Sequence, residues 1–195
     1  FETAFREIHF LTFESPVDVF VGGCLAVETR QRAPKFVIGG AAGVSPGPAL
    51  AGALLETAQS WAYLEDLVVS RADRPIDPSR IFNLEDHLVH YARPEQFPEV
   101  AFLLEGPPAG ETRDPEPSSS AEPPTELAAL LARLDRADLT PVAVEVTTRD
   151  IADVGLRVAK VVIPELIDLP LPSLPPVSHP ALADGRITDK PHPYP

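Results

Sequence analysis

The stretch Phe36–Leu67, "FVIGGAAGVSPGPALAGALLETAQSWAYLEDL", decides the fold class. It opens on Phe36–Gly39, where the bulky apolar residues favour a pleated strand. Gly39, Gly40, Ala41, Ala42 and Gly43 follow, small residues that let the backbone pass close to a neighbour. Ser45-Pro46 then supplies a helix start, with Ser at the cap and Pro in the first turn. Leu50, Leu54, Ala58, Trp61, Ala62 and Leu67 recur mostly every third or fourth residue. That period predicts an amphipathic helix to about Leu67, packed on a sheet.

Working outward, Val17–Thr29 is rich in Val, Phe and Leu and reads as a second strand. The polar Arg30–Pro34 joins it to the first, so an antiparallel hairpin is expected. Downstream, Asn83–Tyr91 reads as a short helix, because Asn83 can cap and Glu85 and Asp86 suit the positive end of the dipole. Arg93-Pro94 ends it. Gly106–Pro124 is rich in Pro, Ser and acidic residues and is expected to be a disordered surface insertion. Thr125 is placed as the cap of a helix over Glu126–Asp138, whose Leu127, Leu130, Leu131 and Leu134 line one face. Strand Val142–Val146, a helix over Arg149–Val154, a turn at Gly155 and strand Leu156–Ile163 follow. From Pro164 to Pro195 the density of proline predicts an extended tail. The expected architecture is α/β in the broad sense, α+β in detail: one domain over 1–195, a sheet with helical cover, insertion 106–124 and tail 164–195.

The net charge of −13 opposes attraction to phosphate backbones and anionic lipid, so neither nucleic acid nor membrane is an expected partner. The longest apolar runs, Ala49–Leu55 and Val158–Ile163, are too short to span a bilayer. The chain holds no methionine and starts at Phe1, which leads us to expect a piece of a longer protein. Its one cysteine, Cys24, lies in the apolar run Val19–Val27 and reads as a buried thiol, with a cytoplasmic setting as the expected location.

Glu56 and Gln59 stand three apart on the predicted helix, so their side chains leave nearly the same face. A carboxylate is a hard oxygen ligand, and magnesium held by few carboxylates completes its shell with water and substrate phosphates. Taken alone, such a pair is commonplace on a solvated helix. No GxxxxGK[ST] or GxGxxG occurs, and Gly39–Gly43 lacks a following Lys, so close packing is the better reading of that run. His87 and His90 share a helical face without a third well-spaced ligand; a structural or surface role is expected, and no metal is assigned. No GxSxG elbow is present.

These features line up with a family. "VIGGAAGVSPGPALAGALLETAQSW" resembles the segment of YcaO proteins in which a small-residue turn leads into a helix carrying Glu-x-x-Gln, matched here by Glu56 and Gln59. "NLEDHLVHYARPE" is similar to the next helix of the azoline-forming, SagD-like branch. "PVAVEVTTRDIADVGLRVAKVVIPELIDL" resembles that branch's closing strand–turn–strand, with Thr147, Thr148, Asp150, Gly155, Pro164, Glu165 and Leu166 in place. The last residues, "PHPYP", match its terminal Pro-x-Pro-x-Pro at Pro191, Pro193 and Pro195. The chain thus resembles the C-terminal portion of a YcaO cyclodehydratase of thiazole/oxazole-modified microcin maturation.

The resemblance implies ATP-dependent closure of azoline rings from Cys, Ser or Thr in a ribosomal precursor peptide, with ATP and Mg²⁺ as cofactors. It implies that Glu56 and Gln59 bind the nucleotide, Glu56 as a metal ligand, and that Pro191, Pro193 and Pro195 order the catalytic region. It also implies a leader-peptide-binding E1-like partner or fused domain, a flavin dehydrogenase as a further partner, and compatibility with a homodimer. Two departures are visible. The family's other nucleotide motif, Ser, then Glu, then Glu-Arg on an earlier helix, is absent from these residues, and Trp61 stands where members often carry Arg. A non-catalytic peptide-binding scaffold is therefore the competing expectation, with thioamide-forming chemistry a third.

Overall fold

The computed structural model describes residues 5–15, 17–71, 76–77, 80–106 and 123–167, with side chains from 126 onward in the last segment. The chain divides into two compact units, whose described residues are 5–106 and 123–167. Both combine helices with antiparallel strands, so the fold is α+β.

In the first unit, strands β1 (Arg6–Phe13), β2 (Phe20–Glu28) and β3 (Phe36–Gly43) form an antiparallel sheet in that order. Arg6 pairs with Glu28 and Phe13 with Val21, while Phe20 pairs with Gly43 and Val27 with Phe36. Strand β1 lies outside the predicted hairpin. Strand β3 also runs on through Gly43 instead of turning at Gly39: the small residues pair with Phe20–Cys24 and remain part of the ladder.

Helix α1 (Pro46–Ser70) packs against β2 and β3. Ser45 takes the extended cap conformation with Pro46 next, yet its side chain makes no capping bond. The buried face is Ala49, Ala53, Thr57, Trp61, Leu64 and Leu67; Leu50, Leu54 and Ala58 are only half-buried and Ala62 is exposed. Trp61 and Leu67 thus lie on the buried face as expected, whereas in the first half of the helix that face is rotated onto Ala49, Ala53 and Thr57. Small residues sit against the sheet because β3 comes so close that larger ones would not fit. A Cβ on Gly39 would stand 2.6 Å from Thr57 Oγ1 and 2.8 Å from Ala53 O.

Strand β2 is covered on both faces, which explains its unbroken apolar run. Ala26 belongs to a cluster with Val37, Trp61, Leu64, Leu67, Leu88 and Val89, while Leu25 and Val27 pack with Phe36, Ile38, Tyr91 and Val100. Cys24 is fully buried, and burial raises its thiol above the ordinary value. At the end of β2, the Glu28 carboxylate accepts from Arg30 through Nε and Nη2 and from Arg32 Nε, all at 2.8–2.9 Å. The Arg30 hydrogen bonds chiefly hold that carboxyl down to about 2.

Helix α2 (Leu84–Tyr91) starts as expected: Asn83 Oδ1 accepts from Asp86 N at 2.8 Å. Arg71, just past α1, pairs with Glu85 and, at 2.6 Å, with Asp86, tying the start of α2 to the end of α1. Two 3₁₀ turns, Pro94–Glu99 and Ala101–Leu104, follow.

The second unit comprises helix α3 (Pro123–Arg136), strand β4 (Val142–Glu145), helix α4 (Arg149–Asp153) and strand β5 (Ala159–Val162). The helix begins at Pro123, so Thr125 lies inside it and does not cap it; proline suits the first turn, whose amides lack intrahelical partners. Both strands are shorter than expected, pairing Val142 with Val162 and Glu145 with Ala159. The hydroxyl of Thr147 accepts from Val158 N at 2.9 Å, extending the ladder. Gly155 closes α4 at φ 81°, a left-handed value that favours glycine. None of this unit's described side chains is buried. The predicted insertion, apart from Gly106 and the start of α3, and the tail beyond 167 lie outside the described residues.

Candidate functional site

Glu56 and Gln59 both project from the exposed side of α1, about one turn apart. The face is fixed by what lies opposite, since Thr57 and Trp61 are buried while Glu56 and Gln59 are exposed. Glu56 Oε2 accepts a hydrogen bond from Gly40 N on edge strand β3 at 2.7 Å. Neither Glu56 Oε1 nor the Gln59 amide has a protein partner among the described residues.

This donor set fits a hard cation: an anionic oxygen and an amide oxygen on exposed residues one turn apart on the same helix face. It does not complete a coordination shell. Among the described residues, no group of three or more His, Cys, Asp or Glu is placed to hold a metal. A sparse protein shell is nevertheless what magnesium takes when phosphates and water supply the remaining oxygens.

Further along this face, the Tyr63 hydroxyl donates to Glu85 Oε1 at 3.3 Å. Trp61 departs from it altogether. Its ring is 1% exposed and lies beneath the Arg6 guanidinium, 4.3 Å from the centroid. Position 61 therefore packs the core in this chain, away from the Glu56 face.

His87 and His90 are buried, with rings 5.2 and 5.1 Å from that of Tyr91. Burial first, and Arg93 second, lower the His90 pKa. Burial, reinforced by Glu99, pushes the Tyr91 hydroxyl up to about 12. The histidines thus belong to the aromatic packing between α2 and Phe36, separate from Glu56 and Gln59. Pro191, Pro193 and Pro195 lie outside the described residues.

Sequence reasoning missed the Gly40 amide as the carboxylate's partner. The glycine run signalled close packing, but which amide meets Glu56 depends on how the helix docks. Among the described residues, no helix is long and apolar enough to cross a membrane.

Comparison with known proteins identifies the setting. Residues 1–167 match the family model described as "YcaO cyclodehydratase, ATP-ad Mg2+-binding". No curated protein matches the chain. Among solved structures, a "Heterocyclase in complex with substrate and Cofactor" is similar, with a TM-score of 0.58 and 16% identity over 85% of this chain. At that identity the likeness concerns the fold. The chain spans 20% of that protein's length.

Proposed function

The chain belongs to the YcaO family, and from that premise we propose that it is part of an ATP- and magnesium-dependent cyclodehydratase that closes azoline rings in a ribosomal peptide. The observation carrying this reading is the exposed Glu56–Gln59 pair, with the Glu56 carboxylate anchored on the Gly40 amide.

The chemical problem is that an amide oxygen is a poor leaving group. A Cys thiol or a Ser or Thr hydroxyl of the peptide attacks the preceding carbonyl carbon, giving a hemiorthoamide. Its oxygen takes the terminal phosphoryl group of ATP, releasing ADP; the C–O bond breaks as phosphate departs, and the nitrogen lone pair forms the C=N bond of the azoline as the N–H proton is lost. Such transfers depend on positioning and on neutralising phosphate charge. Glu56, with Gln59 beside it, would hold magnesium, which when bound supplies that neutralisation. Further ligands come from outside the described residues. Gln59 also offers an amide N–H to a phosphate oxygen.

Pro191, Pro193 and Pro195 act in this proposal as a stiff terminus that orders the catalytic region, because alternate prolines lose little further entropy on docking. The partners are the precursor peptide, an E1-like leader-binding protein or domain, and a flavin dehydrogenase that oxidises the azoline. The setting is cytoplasmic, and the assembly is compatible with a homodimer.

A mass assay on the complete enzyme tests the proposal: with ATP, the precursor loses the mass of one water per ring closed. Glu56→Ala abolishes the loss, and full turnover by that variant overturns the assignment. Removing Pro193–Pro195 slows cyclisation; an unchanged rate removes the tail from the mechanism. A non-catalytic scaffold is the second reading: among the described residues Glu56 stands in no group of three or more His, Cys, Asp or Glu placed to hold a metal. It predicts peptide binding that ignores ATP.

A further inference from the structure

Helix α1 approaches β3 more closely than ordinary side chains allow. A Cβ on Gly39 would meet Thr57 Oγ1 at 2.6 Å and both Ala53 O and Thr57 N at 2.8 Å, two of these being backbone atoms that cannot swing aside. Thr57 reinforces the contact from the helix side. Its hydroxyl lies 2.8 Å from both Cys24 O and Ala53 O, so its one proton joins the helix to β2. Glu56 sits next to Thr57, and this close docking brings its Oε2 to the Gly40 amide at 2.7 Å.

We propose that Gly39 and Gly40 form a seat that positions the Glu56 carboxylate: the missing side chain of Gly39 sets the height of the helix, and the Gly40 N–H pins Oε2. The inference rests on the reading of Glu56 as a cation ligand and adds to it. With Oε2 committed to the amide, Oε1 is the oxygen left for a cation. A pinned carboxylate binds through one atom, which suits a small octahedral ion such as magnesium. Calcium readily takes carboxylates through both oxygens and gains less from this arrangement. The hydrogen bond to an ionised acceptor is of the stronger, charge-assisted kind and restrains the side chain before any ligand arrives. Gly39 and Gly40 are therefore positioning residues, acting through Glu56.

The Gly40 amide resonance, followed by ¹⁵N–¹H correlation on the complete enzyme, reads this seat directly. Glu56→Gln lies on the exposed side of the helix, leaves the fold intact and shifts the Gly40 amide. An unmoved resonance overturns the seat, whatever Glu56 binds. Magnesium chloride titrated with ATP shifts the same amide saturably in the parent and more weakly in Glu56→Gln, while calcium gives the smaller response. A pinned amide that ignores magnesium overturns the cation reading and leaves the pin standing, so the two failures are distinct. Gly39→Ala raises the magnesium dissociation constant read at Gly40 about tenfold, the lower end of the loss for an outer-shell partner. Gly47→Ala, with nothing within 4 Å of its added Cβ, leaves it unchanged. Equal constants in all three proteins overturn the role of Gly39. If Gly39→Ala does not fold, Glu56→Gln still decides the pin.

Discussion

The two units draw on similar apolar residues and use them differently. In the first, Cys24, Leu25, Ala26 and Ile38 are fully buried, and Trp61 is 1% exposed. In the second, Val144 is 50% exposed and Leu127 57%. One face of its hairpin carries Val142, Val144, Val146, Val158 and Val162, all exposed. The first unit is thus held by packing, whereas in the second the described contacts include exposed local bonds such as Thr147 to Val158 and Arg157 to Glu145. Equal hydrophobicity in a sequence does not mean equal burial, and the candidate ligands stand on the packed unit.

The largest break in this contrast comes from Trp61→Ala, which empties the cluster beneath α1. We expect about 3–5 kcal/mol of destabilisation, measured by denaturant unfolding of the first unit. A loss below about 1 kcal/mol would mean that the cluster does not hold this unit.

Acidification is the next lever. His90 has a lowered pKa in the folded chain, so the unfolded chain binds the proton more readily. The stability held by neutral His90 is present above the ordinary histidine value. It falls as pH drops from that value towards the lowered one. His90→Gln flattens this part of the pH–stability curve; an identical slope in both proteins contradicts the assignment.

Asn83→Ala removes the cap of α2 and should cost about 1 kcal/mol in the same unfolding measurement. Smallest of all is Val144→Ala in the uncovered hairpin, for which we expect a change within about 0.5 kcal/mol. A loss as large as that from Trp61→Ala would show the valine face to be buried in solution and erase the distinction between the units.

Several of these features were legible in the sequence for physical reasons. Asn83 followed by Glu85 and Asp86 is a local capping signal, and Asn83 makes the expected bond. Helix α1 was readable from its period and its Ser45-Pro46 start. Trp61 and Leu67 are buried as expected, but Ala49, Ala53 and Thr57 were not read, because hydrophobicity ranks leucine above alanine while the glycines of β3 demand small partners. Strand β1 escaped because its alternation breaks at His9-Phe10, where His9 is half-buried and Phe10 is 50% exposed. Glu56 and Gln59 were found by spacing and by family resemblance. The Gly40 amide could not be, since it lies sixteen residues from its partner and meets it only once the helix has docked.

The most direct test of the central claim is the magnesium dependence of precursor-stimulated ATP hydrolysis in the complete enzyme, parent against Glu56→Gln. If Glu56 is a metal ligand of an ATP-using cyclodehydratase, the variant loses about 100-fold in rate at the parent's optimal magnesium concentration, and added magnesium restores part of it. Superimposable magnesium curves would contradict the account.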